Sequence, residues 1–347
     1  MEKSKRSTTD SNLAIKAQFV EVSGIIAKGR KTAFTALNAA VISTYWSVGE
    51  YISHKIKTAE WGDGVVRQLA EFLQVAHPDQ KGFSDKNLWR MKQFFETYSN
   101  DTILSPLVRE IGWTQNIIIL SKCKTDLERE FYLRESARNN YSKRELERQI
   151  SSGSFERSLI QPKLSQVLND IHPESVTIFR DSYTLDFLGL PSRYNESDLQ
   201  KGIIHSLKQF IIEFGRDFAF IGEEYRVQVG MKDYYIDLLF YHRELQCLVA
   251  FELKVDEFKP EYMGKLSFYL EALDRDVKKI HEKPSIGIIL CKGRDSEVVE
   301  YALARTTSPA VIAEYTTKLP DKKLLQAKLH EFFDSTVHEM QAEYNSN

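Results

Sequence analysis

Apolar residues recur at steps of three and four along most of the first 158 positions, whereas near residue 240 they run almost unbroken. The first pattern predicts amphipathic helices and the second predicts buried strands. From about Ala14 to Ser158 the reading is helical nearly throughout, after a polar first ten residues expected to be disordered. Thr35 to Tyr51 is apolar-rich and carries Tyr45 and Trp46; Gly62 and Gly64 break the pattern, and Val65 to Ala76 resumes it before His77 and Pro78. Ser84 is placed to cap a helix over Asp85 to Tyr98, in which Leu88, Met91, Phe94 and Tyr98 share one face. Helices follow over Trp113–Leu120, Leu127–Arg138 and Ser142–Ser151, the last opened by Ser142 with Glu145 three positions on, a capping box.

Breaker pairs at Gln161–Pro162, His172–Pro173 and Pro191–Ser192 make the next stretch read as a linker with short elements. Ser197 is then placed to cap an amphipathic helix that ends at Phe214, with Gly215 to stop it. Strands are predicted over Phe218–Val229, Tyr234–Tyr241, Cys247–Leu253, Ile286–Cys291 and Ala310–Tyr315. Helices over Glu261–Leu273 and Ser296–Arg305 interleave with them, and a last helix spans about Asp321 to Met340. The expected organisation is a helical domain over 14–158, a linker region over 159–193, an α/β domain over 194–320, and a C-terminal helix and tail over 321–347.

Composition narrows the class. With 42% hydrophobic and 28% charged residues in 347, the chain is expected to be globular and soluble, with no membrane span and a cytoplasmic location. Cys123, Cys247 and Cys291 are far apart, so neither a disulfide framework nor a zinc site is indicated. Net charge is −2, but residues 1–150 hold 23 Lys and Arg against 18 Asp and Glu. That asymmetry suits a basic, nucleic-acid-gripping front half, and equally suits ordinary solvated helix faces. Lys86, Arg90 and Lys92 on the Asp85–Tyr98 helix are the candidates for phosphate contacts, the helix being placed like a recognition helix after a turn.

Candidate chemistry lies in the strand pair. Asp237 stands among Tyr, Ile, Leu and Phe on one strand, and Glu252 and Lys254 end the next. An ionised carboxylate in such surroundings costs several kcal/mol unless it is paired or holds a metal. A tight turn near Glu244 and Leu245 sets Asp237 opposite Glu252, and Lys254 shares the face of Glu252. Two acids and a lysine so placed make a site for a divalent cation; a buried ion pair is the alternative. His242 is expected as an exposed turn residue, and Tyr234, Tyr235 and Tyr241 as packing aromatics.

Asp followed by Glu-x-Lys on consecutive strands resembles the signature of the PD-(D/E)XK nucleases. The flanking runs from Tyr235 to His242, Phe251 to Lys254, Phe258 to Tyr262 and Gly287 to Cys291 resemble the bacterial YhcG family. So do Tyr45, Trp46 and Gly49, the run from Gly82 to Leu88, Trp113, and Tyr141 to Ile150 in the front half. The resemblance implies an α-helical N-terminal domain plus an α/β C-terminal domain of PD-(D/E)XK (restriction-endonuclease-like) type. It further implies a Mg2+-dependent deoxyribonuclease, with Mn2+ as the alternative ion and RNA or branched DNA as alternative substrates. Asp237, Glu252 and the main-chain carbonyl of Leu253 would hold the metal. Lys254 would orient water or neutralise charge, and Lys265 and Lys259 would meet the nucleic acid. Gln200 falls where the family carries a glutamate on the first helix. That departure motivates a second reading, a nuclease-fold DNA-binding or scaffold protein with little or no turnover.

Overall fold

The computed structural model describes residues 2–78 and 81–320, apart from the side chains of Asp63 and of part of the first 35 residues. The helix expected over 321–340 lies outside the described residues. The chain divides into two compact units between Glu147 and Arg148.

The first unit is helical: α1 (Glu2–Lys57), α2 (Asp63–Ala76), α3 (Asp85–Tyr98), α4 (Leu104–Leu107), α5 (Trp113–Lys122), α6 (Asp126–Asn139) and the start of α7 (Lys143–Ser151). No proline precedes Pro78, so α1 runs on through Gly24, Gly29 and Gly49. It takes in residues 2–10, which polarity alone marked as disordered. Helix α3 buries Leu88, Met91, Phe94 and Tyr98, the face read from its spacing. It meets α1 at Gly49, where a Cβ would come within 2.1 Å of the Met91 carbonyl oxygen, so only glycine permits this crossing. Ser84 precedes α3 as expected but makes no side-chain cap. The reciprocal cap of α7 is present: the Ser142 N–H donates to Glu145 Oε2 at 2.7 Å, and the Glu145 N–H donates to Ser142 Oγ at 3.3 Å.

The second unit is a seven-stranded sheet between two helical layers. Its strands are β1 (Lys163–Leu164), β2 (Ser182–Thr184), β3 (Phe218–Val229), β4 (Lys232–His242), β5 (Cys247–Leu253), β6 (Ile286–Cys291) and β7 (Ala310–Thr316). The order is β1-β7-β6-β5-β4-β3, with β2 also on β7. Strands β5, β6 and β7 are mutually parallel, and the β3–β4–β5 part is antiparallel. Its helices are α8 (Ser154–Ser158), α9 (Gln166–Ile171), α10 (Ser175–Ile178), α11 (Glu196–His205), α12 (Leu207–Phe214), α13 (Tyr262–Ala272) and α14 (Ser296–Ala304). Leu199, Ile203, Phe210 and Phe214 of α11 and α12 pack on one face, against Phe240, Phe251 and Leu253. Leu266 and Leu270 of α13 and Val299 and Leu303 of α14 cover the other, against Leu239, Ala250 and Ile289. Strand β5 is therefore wholly buried, which explains its unbroken apolar run.

Three sequence expectations change here. The stretch 159–193, read as a linker, supplies β1 and β2 to the sheet and buries Leu168, Phe179, Tyr183 and Leu185. Its prolines end short elements without excluding it from the core. The helix expected from Ser197 begins at Glu196, capped by Asn195 with Asp198 in a reciprocal box, and breaks at Ser206. Gly215 does stop α12, at φ +136°.

Candidate active site

The turn between β4 and β5 pairs His242 with Cys247 and continues to Leu238 opposite Phe251. One step further the ladder ends, and Asp237 and Glu252 occupy the next opposed positions. There the Leu253 N–H donates to Asp237 Oδ2 at 2.7 Å, so the aspartate side chain takes the place of a ladder acceptor. Strand β4 also changes phase here. Leu239 packs on the α13 layer, and so do Ile236 and Tyr234, which strict alternation from Leu239 would turn away. Opposite, Glu224 sits at φ +42° and the ladder skips it. Such irregularities re-aim side chains at sheet edges.

Glu252 has no exposed surface, and its Oε1 accepts from Lys265 Nζ at 2.6 Å and lies 2.9 Å from Lys254 Nζ. Lys254, 8% exposed, also donates to Glu196 Oε1 at 3.1 Å and to the Leu253 carbonyl at 2.9 Å. Its ammonium lies 5.1 Å from the centre of the Tyr262 ring. Burial disfavours the Lys254 charge, but Glu252 and Glu196 outweigh it and raise the pKa. For Asp237, burial and then the facing Glu252 push the carboxyl up to about 6, against the Leu253 N–H and the two lysines.

The structure thus brings together Asp237, Glu252, the Leu253 carbonyl, Lys254 and Lys265. Lys259 stands beside this group rather than in it: it pairs with Asp256 at 2.5 Å, is half exposed, and lies 5.9 Å from the centre of the same Tyr262 ring that Lys254 meets. In the first unit, Lys86 and Arg90 lie near one another on α3, but Lys92 is about 200° round the helix from Arg90. Lys92 is paired with Glu96 at 2.8 Å. The three therefore do not form one patch. His242 is buried rather than exposed, accepting the Leu245 N–H at its Nδ1, because the turn folds it back among Phe218 and Phe179. Tyr234 packs on Phe268 as expected, whereas Tyr235 is 50% exposed.

Sequence reading passed over Glu196. It lies one turn before Gln200 on α11, and the two share a face. Gln200 Nε2 donates to the Asp237 carbonyl at 2.9 Å while Glu196 reaches Lys254. The i, i+4 spacing was the available signal, but Glu196 stands at a helix start, where acids are common for other reasons.

Among the described residues no group of three or more His, Cys, Asp or Glu side chains is placed to hold a metal ion. The donor set is instead two carboxylates and a carbonyl. Glu252 Oε2 is buried with no hydrogen-bond partner, an acceptor left without a donor in the protein. A hard divalent cation, which takes oxygen ligands and keeps several waters, fits that vacancy in the bonding pattern.

Comparison with known proteins agrees with this architecture. Residues 176–330 match the family model of the YhcG PDDEXK nuclease domain, and residues 21–157 that of the DUF1016 N-terminal domain. The protein YhcG of Escherichia coli (strain K12) is 29% identical over 343 residues, covering 88% of this chain and 91% of that protein. Among solved structures, a repair endonuclease from Pyrococcus abyssi is similar at 16% identity over 38% of this chain and 50% of its own, with a TM-score of 0.25. A complex of EndoMS with double-stranded DNA is similar at 16% identity over 38% of this chain and 48% of its own, with a TM-score of 0.26. The matched part spans about half of those two solved chains. No helix among the described residues is long and apolar enough to cross a membrane.

Proposed function

Because the chain belongs to the YhcG family through both of its domains, we propose that it is a metal-dependent nuclease that hydrolyses DNA phosphodiester bonds in the bacterial cytoplasm. The observation that carries this reading is the arrangement at the end of the β4–β5 ladder. Two opposed carboxylates, one with a buried acceptor lacking any donor, stand beside two lysine ammonium groups. An acceptor without a donor costs about 1–3 kcal/mol, which a bound cation would offset.

Asp237, Glu252 and the Leu253 carbonyl would hold the cation, Mg2+ being the ion that best suits so few protein ligands. When bound, it supplies Lewis-acid polarisation of the phosphoryl group and a nucleophile at neutral pH. Lys254, fixed by Glu252, Glu196 and the Tyr262 ring, holds its charge where a phosphate oxygen or the attacking water would lie. Lys265 is 45% exposed, so it reaches from the buried Glu252 toward solvent and can meet a phosphate. Lys86 and Arg90 are the first unit's candidates for contact with the DNA backbone. The scaffold reading drew on Gln200, which lacks the expected charge. From the same helix face Glu196 brings a carboxylate to Lys254, so that helix still carries an acid at the site.

The test is cleavage of linear, circular, branched and single-stranded DNA and of RNA by the full chain, with Glu252→Gln as control. Metal-dependent cuts in DNA that the control fails to make support the reading. Binding without cleavage of any substrate overturns it in favour of a scaffold.

A further inference from the structure

The loops that follow β5 and β6 are fastened to one another beside the candidate site. The Lys254 N–H donates to the Leu290 carbonyl at 2.9 Å, the Lys292 N–H to the Asp256 carbonyl at 3.1 Å, and the Phe258 N–H to the Gly293 carbonyl at 2.8 Å. Leu253 and Leu290 are partners in the parallel ladder, so Lys254 and Lys292 leave neighbouring strands at nearly the same level. Main-chain bonds alone therefore fix where the Lys292 side chain starts.

That side chain is exposed, and its ammonium lies 5.3 Å from the centre of the Tyr194 ring. The ring is itself held, because the Tyr194 hydroxyl donates at 3.1 Å to the hydroxyl of the buried Tyr315. Two residues after Tyr194, Glu196 reaches Lys254. One short segment at the start of α11 thus steadies both lysines, one with a carboxylate and the other with a ring. The difference matters for a ligand. Lys254 is paired with Glu252 and Glu196, Lys259 with Asp256, Lys265 with Glu252, and Arg294 with Asp181. Lys292 has no carboxylate partner among the described residues. A ring keeps the ammonium in place and leaves its N–H donors to an incoming anion.

The geometry points to Lys292 as a backbone clamp: it binds the phosphate of a nucleotide next to the one whose phosphate is cut at Asp237 and Glu252. The inference rests on the nuclease reading and adds to it a contact outside the reacting centre. Glu252 balances the charge of Lys254 and Lys265 where the reaction occurs, whereas Lys292, one strand away, brings a positive charge that no carboxylate offsets. Phosphate oxygens carry no base identity, so this contact fixes where the nucleic-acid backbone lies and leaves sequence unread. Tyr194 acts through Lys292 as its positioning residue.

Fluorescence anisotropy of a labelled duplex, titrated with the full chain in chelator at several salt concentrations, tests this apart from cleavage. Lys292→Met should raise Kd about 10-fold, the scale of one charge-assisted hydrogen bond. It should also lower the salt slope by about 1, equally on two duplexes of unrelated sequence. Lys292→Arg should restore binding. Tyr194→Phe, which keeps the ring, should bind as the unmodified chain does, and Tyr194→Leu should bind more weakly. With Mg2+ and saturating DNA, the single-turnover rate of Lys292→Met should equal that of the unmodified chain, because the contact is made equally before and during reaction. An unchanged Kd and salt slope overturn the inference, and so does a loss confined to one sequence or a fall in the saturating rate alone. DNA binding that depends on Lys292 in a chain that never cuts supports the inference and overturns the nuclease reading. A chain that cuts DNA but binds it equally well as Lys292→Met does the reverse, and a chain that binds no DNA overturns both.

Discussion

Lys265 Nζ on α13 lies 2.6 Å from Glu252 Oε1 on β5, so a half-exposed lysine is tied to a carboxylate with no exposed surface. Glu252 raises the Lys265 pKa against the burial that lowers it, and the ammonium stays charged throughout the accessible pH range. The lysine therefore supplies fixed positive charge between buried acids and solvent. Replacing it by methionine keeps most of the stem and removes the charge. Cleavage should fall about 100-fold, the usual loss for one preorganised charge or donor at a reacting centre. Lys265→Arg should recover part of it. A methionine variant as fast as the unmodified protein would show that Lys265 serves only to neutralise Glu252.

Asp237 gives a pH signature. Its carboxyl is raised to about 6 by burial and then by Glu252, from about 3.9 in the unfolded chain. Folding thus favours the protonated form. The metal-free protein binds more protons folded than unfolded between those two values, so its stability falls as pH rises through that window. Asp237→Asn removes the effect. Its melting temperature without metal should exceed that of the unmodified protein at pH 7, and the gain should vanish below about pH 4. Equal melting temperatures at pH 7 would contradict the raised pKa. Cation affinity should likewise weaken as pH drops through 6, because the ligand must be ionised.

Glu213 behaves in the opposite sense. Burial works against its charge, but Arg157 at 2.8 Å and Arg148 at 3.0 Å outweigh it and hold the carboxyl at about 2. The Thr184 N–H also donates to it at 2.8 Å. Its stabilisation is fully present above the unfolded value of about 4.3 and is lost as pH falls toward 2. Glu213→Ala leaves two guanidinium groups without their shared partner and should cost about 3–5 kcal/mol. Chemical denaturation at pH 7 measures this; a loss below 1 kcal/mol would mean that solvent reaches the arginines.

If the first unit grips DNA, Lys86→Glu with Arg90→Glu should weaken binding and flatten its salt dependence, as fewer counterions are released. Lys92→Glu should disturb α3 by breaking its pair with Glu96 but leave the salt slope unchanged. The slopes come from binding isotherms at several salt concentrations. A slope unchanged in the double variant would move the contacts to the second unit.

Much of this was legible in the sequence, for identifiable reasons. The apolar run of β5, the helical spacing of α3 and the short turn after His242 each report a local constraint, so strand pairing and the opposition of Asp237 to Glu252 followed. The errors came where tertiary partners decide. Tyr183 and Leu185 looked like parts of a proline-flanked linker because the strand that pairs with them, β7, lies more than a hundred residues on. His242 looked exposed because nothing local shows that its turn folds back among Phe179 and Phe218. Glu196 was passed over because its partner, Lys254, is on another element. The phase change at Asp237 has no sequence signal, and neither has the positive φ of Glu224 on the facing strand.

The central claim is that Asp237 and Glu252 together hold a divalent cation used to cut DNA. Single-turnover cleavage of an end-labelled duplex, with Mg2+ titrated from a chelated start, tests it most directly alongside Asp237→Asn and Glu252→Gln. The account predicts no cleavage in chelator, saturable recovery with Mg2+, and loss of the recovery in both variants, each still folded by circular dichroism. Cleavage that persists in chelator, or in either folded variant at saturating Mg2+, would contradict it.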